Sequence, residues 1–259
     1  MNTVLVTNLT GLKTIVNKEV GRILRIWSQT LLPSAITTTL YFIIFGQLIG
    51  RRVGMIGDVS YMQYIVPGLI MMSVITSAYA NVSTSFFSLK FQRSIEEIII
   101  SPLATWVLII GYISGGVIRG LLVGGIVTII ALLFTHLHIA HFGLMIFVVL
   151  CSAIFFALAG LFNALFATKF DDVMLVPTFI LTPLTYLGGV FYSISMLPSF
   201  FQKLSMLNPI LYLVNAFRYG VLGISDIAVT AAVGILVILT VALYIVCWRL
   251  IKTGYGIRE

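Results

Sequence analysis

Few residues in this chain have the types and spacing that chemistry requires. Asp171 and Asp172 are adjacent carboxylates, the raw material of acid–base catalysis. Neighbours in sequence do not face one site on a helix, and both lie at the start of an apolar span, where a carboxylate suits the helix dipole. His136, His138 and His141 sit in HLHIAH, which lacks the His-x3-His spacing of a helical metal site and has no acidic or cysteine ligand beside it. They read as loop histidines, and no metal site is expected. Cys151 and Cys247 lie inside apolar runs and read as buried free thiols. There is no G-x4-G-K-[ST] phosphate loop and no nucleophile elbow, so nothing here binds ATP by itself. Arg119 stands near the middle of an apolar run. It either lines a translocation path and holds an anionic group, or is a structural arginine satisfied by carbonyls or by an amide such as Asn163.

Charge also gathers in FQRSIEEIIISP, Phe91 to Pro102, which holds Arg93, Glu96 and Glu97 between two long apolar runs. At 100° per residue, Gln92, Arg93, Glu96 and Glu97 share one side of a helix, and Phe91, Ile95, Ile98 and Ile99 the other. Ser101-Pro102 ends it, because proline lacks an N–H and restricts its predecessor. This predicts a short amphipathic helix over 91–100, either a solvated loop or a contact surface for a partner.

The elements around these residues follow from composition. Sixty per cent of the chain is hydrophobic, 9% is charged and the mean hydropathy is +1.13. Soluble domains carry about 25% charged residues. Apolar runs of span length, without strand-like alternation, predict an all-α integral membrane protein with a single domain over 1–259. The net charge of +7 sits at span ends, which argues for membrane orientation and against nucleic acid. Six spans are expected at Leu31–Gly50, Tyr61–Ser85, Ala104–Phe134, Phe142–Phe166, Val173–Tyr192 and Ile227–Leu250. The third carries Gly111, Gly115, Gly116, Gly120, Gly124 and Gly125, which invite close helix approach. The fifth carries Pro177 and Pro183 and should kink.

Two further elements flank the spans. Over residues 9–27, Leu12, Ile15, Val16, Val20, Ile23 and Trp27 oppose Lys13, Lys18, Arg22 and Arg25, predicting an interfacial helix with its basic side toward anionic headgroups. Over 197–222, two half-length apolar helices meet at Asn208-Pro209, predicting a re-entrant hairpin before the sixth span. Lys and Arg concentrate on the side of the termini, which predicts that both termini are cytoplasmic.

At this point the sequence resembles a known family. Leu207-Asn208-Pro209-Ile210-x-Tyr212-x5-Arg218-x4-Gly223 is similar to the signature of ABC-type exporter permeases of the drug and polysaccharide class, and PLTYLGGVFYS before it is also similar. FQRSIEEIIISP resembles their coupling helix, and the likeness covers nearly the whole chain, including bacterial inner-membrane permeases paired with a separate ATPase. The resemblance implies a non-catalytic, multi-pass subunit in the inner membrane. It implies a permease homodimer bound to two copies of an ATP-binding cassette ATPase, with membrane lipids around it. No cofactor is expected in this chain, and Mg-ATP would lie in the partner. Phe91, Arg93, Glu96 and Glu97 would couple to the ATPase, and Asn208, Pro209, Tyr212, Arg218 and Gly223 would shape the outer gate. A lipid-like, drug or glycan substrate would pass along the first, second and fifth spans. The residues alone also fit an ATP-independent scaffold or lipid-handling protein, or a secondary transporter, although no clear internal repeat is visible.

Overall fold

The computed structural model describes residues 2–94, 101–137 and 139–256. Among these residues six helical segments are long and apolar enough to cross a membrane: Trp27–Val53, Tyr61–Phe91, Thr105–Phe134, Phe142–Phe166, Phe170–Leu187 and Val229–Thr253. The predicted spans agree with these apart from their ends. The second runs on to Phe91, and the fifth starts at Phe170 and stops at Leu187, where Gly188 and a left-handed Gly189 break the helix. The first and fifth spans each contain a π-helical stretch, Phe42–Ile49 and Pro177–Leu181. In the fifth, Pro177 supplies the reason, since its missing N–H interrupts the ladder. Between the first and second spans, Met55–Ile56 pairs antiparallel with Val59–Ser60 around Gly57 (φ 58°). Ser60 then caps the second span reciprocally with Gln63.

The second and third spans have 31 and 30 residues. At 1.5 Å per residue each is about 45 Å long, against about 30 Å of hydrocarbon. About a third of each therefore projects beyond the apolar core if the far ends sit flush with it. The N-terminal helix, Asn2–Arg25, packs on this projecting part. Its amphipathic pattern predicts a helix lying across the membrane surface. In the structure it lies alongside the third span, with Ile15 against Gly111 and Glu19 against Gly115.

The core is the second span, buried along most of its length between the third and fourth. The glycines of the third span divide between two neighbours. Gly111 and Gly115 receive the N-terminal helix, whereas Gly116 and Gly120 lie against Ala78, Val82 and Val74 of the second span. A Cβ at Gly116 would stand 2.6 Å from Val82 and 2.9 Å from the Ala78 carbonyl oxygen. On the other side, Gly160 of the fourth span abuts the backbone of Tyr79. Small residues thus let three backbones approach without a hydrophobic driving force between them. Lys90 closes the same bundle by donating to the carbonyls of Leu165 (3.0 Å) and Ala167 (2.9 Å) at the end of the fourth span. The first, fifth and sixth spans leave most of their surface outside this core.

Gly160→Val should lower the stability of the detergent-solubilised protein by about 1–3 kcal/mol, the usual cost of overpacking. Gly125→Ala, which meets nothing within 4 Å, should leave the melting temperature unchanged or slightly raised. Thermal unfolding of the two variants checks this.

Candidate functional site

At the end of the bundle away from the termini stand two helices, Ser199–Met206 and Pro209–Leu222, called the hairpin below. Asn208 caps the second, accepting from the Ile210 N–H (3.0 Å) and donating to the Leu184 carbonyl of the fifth span. Pro209 follows at the first helical position, where its missing N–H costs nothing. Tyr212 donates back to the Met206 carbonyl (2.7 Å), closing the turn. Gly223 ends the helix in the left-handed conformation (φ 74°) that glycine adopts without strain. The second helix is buried among the spans, while the first exposes Phe200, Phe201 and Leu204.

Arg218 is the centre of this face. Its side chain is 0% exposed, yet its guanidinium meets polar groups and an aromatic ring. It donates to the Gly189 carbonyl (2.6 Å) and the Tyr64 carbonyl (3.3 Å), and its Cζ lies 3.9 Å from the centroid of the Tyr64 ring. The balancing charge is Asp226. Its carboxylate accepts from Tyr64 Oη (3.0 Å), Ser193 Oγ (2.8 Å) and the Ile194 N–H (3.3 Å). Asn215 Oδ1 joins the two, accepting from the Asp226 N–H (3.0 Å) and from Arg218 (3.5 Å). The knot ties the second span, the loop after the fifth, the hairpin and the lead-in to the sixth span. A cavity of about 290 Å³ opens over it beneath the β-hairpin, between Asp58 and Asp226.

A second polar cluster lies at the opposite end of the second span. Glu19 is 0% exposed. It accepts from Ser85 Oγ (2.5 Å), from Arg22 (2.7 Å) and from Asn81 Nδ2 (3.4 Å), and Arg22 also donates to Asn81 Oδ1 (2.9 Å). Arg22, expected on the headgroup side of its helix, is therefore turned inward. Lys13, Lys18 and Arg25 remain exposed. Arg119 lies one turn beyond Gly115 on the same face of the third span, with its Nε buried and unpartnered among the described residues. The amide suggested for it, Asn163, is instead committed to the Val173 carbonyl (3.1 Å).

The predicted ATPase-contact residues are only partly described. Phe91 is the last residue of the second span, 62% exposed, with its ring 5.0 Å from that of Phe170. Gln92 to Ser94 turn away from the helix, with Arg93 in the left-handed region (φ 57°). Glu96 and Glu97, with the rest of the predicted helix, lie outside the described residues, as does His138. His141 stacks on Tyr219 (4.9 Å) and serves packing.

Between the first and second spans runs a groove of about 190 Å³ lined by Ser34, Thr37, Thr38, Tyr41, Ser73 and Thr76. At its far end Tyr41, Phe45, Tyr186 and Phe191 form an aromatic cluster spanning the first and fifth spans, with Phe45 and Phe191 4.7 Å apart. Nothing in this arrangement makes or breaks a bond. It is a hydroxyl-lined helical face with polar locks at either end.

Two of these anchors escape a sequence reading. Asp226 is an ordinary loop residue until the fold closes on it. Glu19 leaves a trace: it stands between Ile15 and Ile23 at four-residue spacing, a carboxylate in the middle of an apolar stripe.

The family model described as ABC-2 type transporter matches residues 10–222, from the N-terminal helix to the end of the hairpin. The chain belongs to the ABC-2 type transporter family. It is 57% identical over 249 residues to inner membrane transport permease YadH of Escherichia coli (strain K12), covering 96% of this chain and 97% of that protein. It is also 23% identical over 231 residues to nodulation protein J of Rhizobium leguminosarum bv. viciae, covering 87% and 89%. As an ABC-2 permease the chain is a non-catalytic, multi-pass subunit of the inner membrane, in a family whose permeases pair with ATPase subunits. The Glu19 cluster lies within the matched residues, as does the Arg218 knot apart from Asp226.

Arg218→Met should leave the Gly189 carbonyl without its side-chain donor and Asp226 without its counter-charge. Each buried group left unpaired costs about 1–3 kcal/mol. Arg218→Lys should rescue little, since an ammonium cannot reproduce the planar fork. A large fall in melting temperature in both variants is the expected result.

Proposed function

We propose that this ABC-2 permease is the membrane half of an ATP-driven exporter, two copies pairing with two copies of a separate ATPase that holds Mg-ATP. Residues 91–100 act as the coupling helix, docking on the ATPase through Phe91, Arg93, Glu96 and Glu97. Both termini and this segment face the cytoplasm. The hairpin over 197–222 dips into the outer leaflet as a re-entrant element and gates the outer mouth. The single observation that carries the reading is the overlong second span. It continues past the apolar core to an exposed Phe91 and a sharp turn at Arg93, so its motion is delivered at a surface beyond the membrane.

The substrate route follows the first, second and fifth spans. The groove between the first and second presents hydroxyls where a lipid-facing surface would be apolar, which favours its burial against a second copy or a polar path. π-Helical stretches in the first and fifth spans mark these helices as the ones able to adjust. A lipid-like, drug or glycan molecule would be carried outward along this face.

Purification of the tagged permease from its native membrane in mild detergent, followed by native mass spectrometry, tests the assembly. The expected species contains two permeases and two ATPase subunits, and recovery of the permease alone contradicts the reading. Glu97→Lys should weaken ATPase co-purification by about tenfold, or leave hydrolysis running without transport. Unchanged substrate-coupled turnover in that variant removes the coupling assignment.

A further inference from the structure

The third and fourth spans meet closely at one point and leave space between them at another. Gly116 lets them meet, since a Cβ there would stand 3.0 Å from the Ala157 Cβ. Toward the far boundary the hairpin's second helix takes over as the fourth span's neighbour. A Cβ at Gly220 would stand 2.9 Å from Met145 Cα, and the Val221 and Gly220 carbonyls accept from the N–H groups of Ala140 (3.1 Å) and His141 (2.8 Å). These contacts seat the start of the fourth span on the hairpin, and a cavity of about 200 Å³ remains between it and the third span.

The wall of this cavity is apolar. Leu121 and Gly125 of the third span line it with Met145 and Val149 of the fourth, and Phe217 and Val221 of the hairpin complete the floor. Among the described residues the one polar side chain lining it is Thr128, whose hydroxyl is committed to the Gly124 carbonyl (2.7 Å). Water therefore finds no partner there. An apolar cavity of about 150 Å³ stays dry and accepts a hydrocarbon. Val149, Phe217 and Val221 are buried, whereas Gly125, Ile139 and Ile146 are exposed and mark the mouth. A Cβ at Gly125 would meet nothing within 4 Å. Around the mouth Leu122, Ile129 and Phe147 continue the apolar outer surface of a multi-pass membrane protein. Counting from Phe134 at 1.5 Å per residue, Thr128 lies about 9 Å and Leu121 about 20 Å inside the far boundary. The cavity thus brackets the depth, about 15 Å, at which the chains of the far leaflet end.

We propose that this cavity is a binding site for the end of one hydrocarbon chain of a far-leaflet phospholipid, entering past Gly125 and Ile146 and resting on Phe217 and Val221. Recognition is by shape and apolar contact, so the headgroup stays outside and is not selected. The chain fills the wedge between two spans and the hairpin's second helix, and the lipid becomes part of the seat on which that helix rests. The site follows from the packing of the third and fourth spans and requires neither the coupling nor the gate assignment.

The test is photolabelling in nanodiscs of phosphatidylcholine that carries a diazirine at the end of one chain, with the adducts located by mass spectrometry. Adducts are expected on Val149, Phe217 and Val221, which are too buried for the surrounding lipid to reach. Gly125→Phe, which places a ring across the mouth, should lower them about tenfold and leave adducts on the exposed Ile238 of the sixth span unchanged. Val149→Ala deepens the cavity and should raise the labelling of Phe217, an independent readout should the phenylalanine variant fail to fold. Phosphatidylglycerol with the same labelled chain should give the same pattern. An unlabelled floor in wild type, or floor labelling that neither variant alters, overturns the proposal. A preference for one headgroup would place the recognition outside the cavity and likewise contradict it. An unlabelled floor together with a disulfide-linked dimer of Ile146→Cys, in a Cys151→Ala, Cys247→Ala background, would assign the cavity to a second copy of the chain and overturn it as well.

Discussion

Arg218 carries a full charge with none of its side chain open to solvent, and the far face of the permease is arranged around that fact. Hydrocarbon offers no water to satisfy a guanidinium, so protein groups must do so. The Gly189 and Tyr64 carbonyls, the Tyr64 ring, Asn215 and, one shell out, Asp226 supply what water would. Four separate segments are held in register because each brings one of these groups. The hairpin's second helix is seated by this knot together with buried apolar residues such as Leu213, Val214 and Phe217, while its first helix presents phenylalanines outward.

The second span links this knot to the other end of the molecule. Tyr64 belongs to the Arg218 knot, and Asn81 and Ser85 belong to the Glu19–Arg22 cluster five turns away. Between them the helix packs backbone-close on the third and fourth spans at Gly116, Gly120 and Gly160. Interiors packed this closely transmit displacement instead of absorbing it. The first and fifth spans are different. They carry the π-helical stretches, leave most of their surface outside the core and meet through an aromatic cluster at one end. The structure thus sets a closely packed three-helix frame beside two less buried helices that carry the π-helical stretches.

Much of this was legible in the residues. Apolar run lengths located the six spans, and Asn208-Pro209 with Gly223 located both hairpin helices, because capping, N1 proline and left-handed glycine are local chemistry. The glycines of the third span announced close packing but not with which partner: Gly111 and Gly115 lie on one face, against the N-terminal helix, and Gly116 and Gly120 on another, against the second span, and only the fold assigns the partners. Arg22 was misread for a related reason. Its helix has a basic side by periodicity, yet a buried Glu19 and the amide of Asn81 outcompete water for that one guanidinium. Asp226 could not be found at all, since its role is created by residues more than 150 positions away at Tyr64.

The most direct test of a firm frame flanked by moving helices is a pair of distances in the assembled transporter. Spin labels at Leu122 and Phe147 report the third and fourth spans, and labels at Thr37 and Leu122 report the first span against the third, in a Cys151→Ala, Cys247→Ala background with one labelled permease per complex. Double electron–electron resonance would compare the nucleotide-free complex with the ATP-trapped one. A rigid frame predicts an unchanged Leu122–Phe147 distribution and a displaced Thr37–Leu122 distribution. A shift between the third and fourth spans, with the first span moving along with the third, would contradict it.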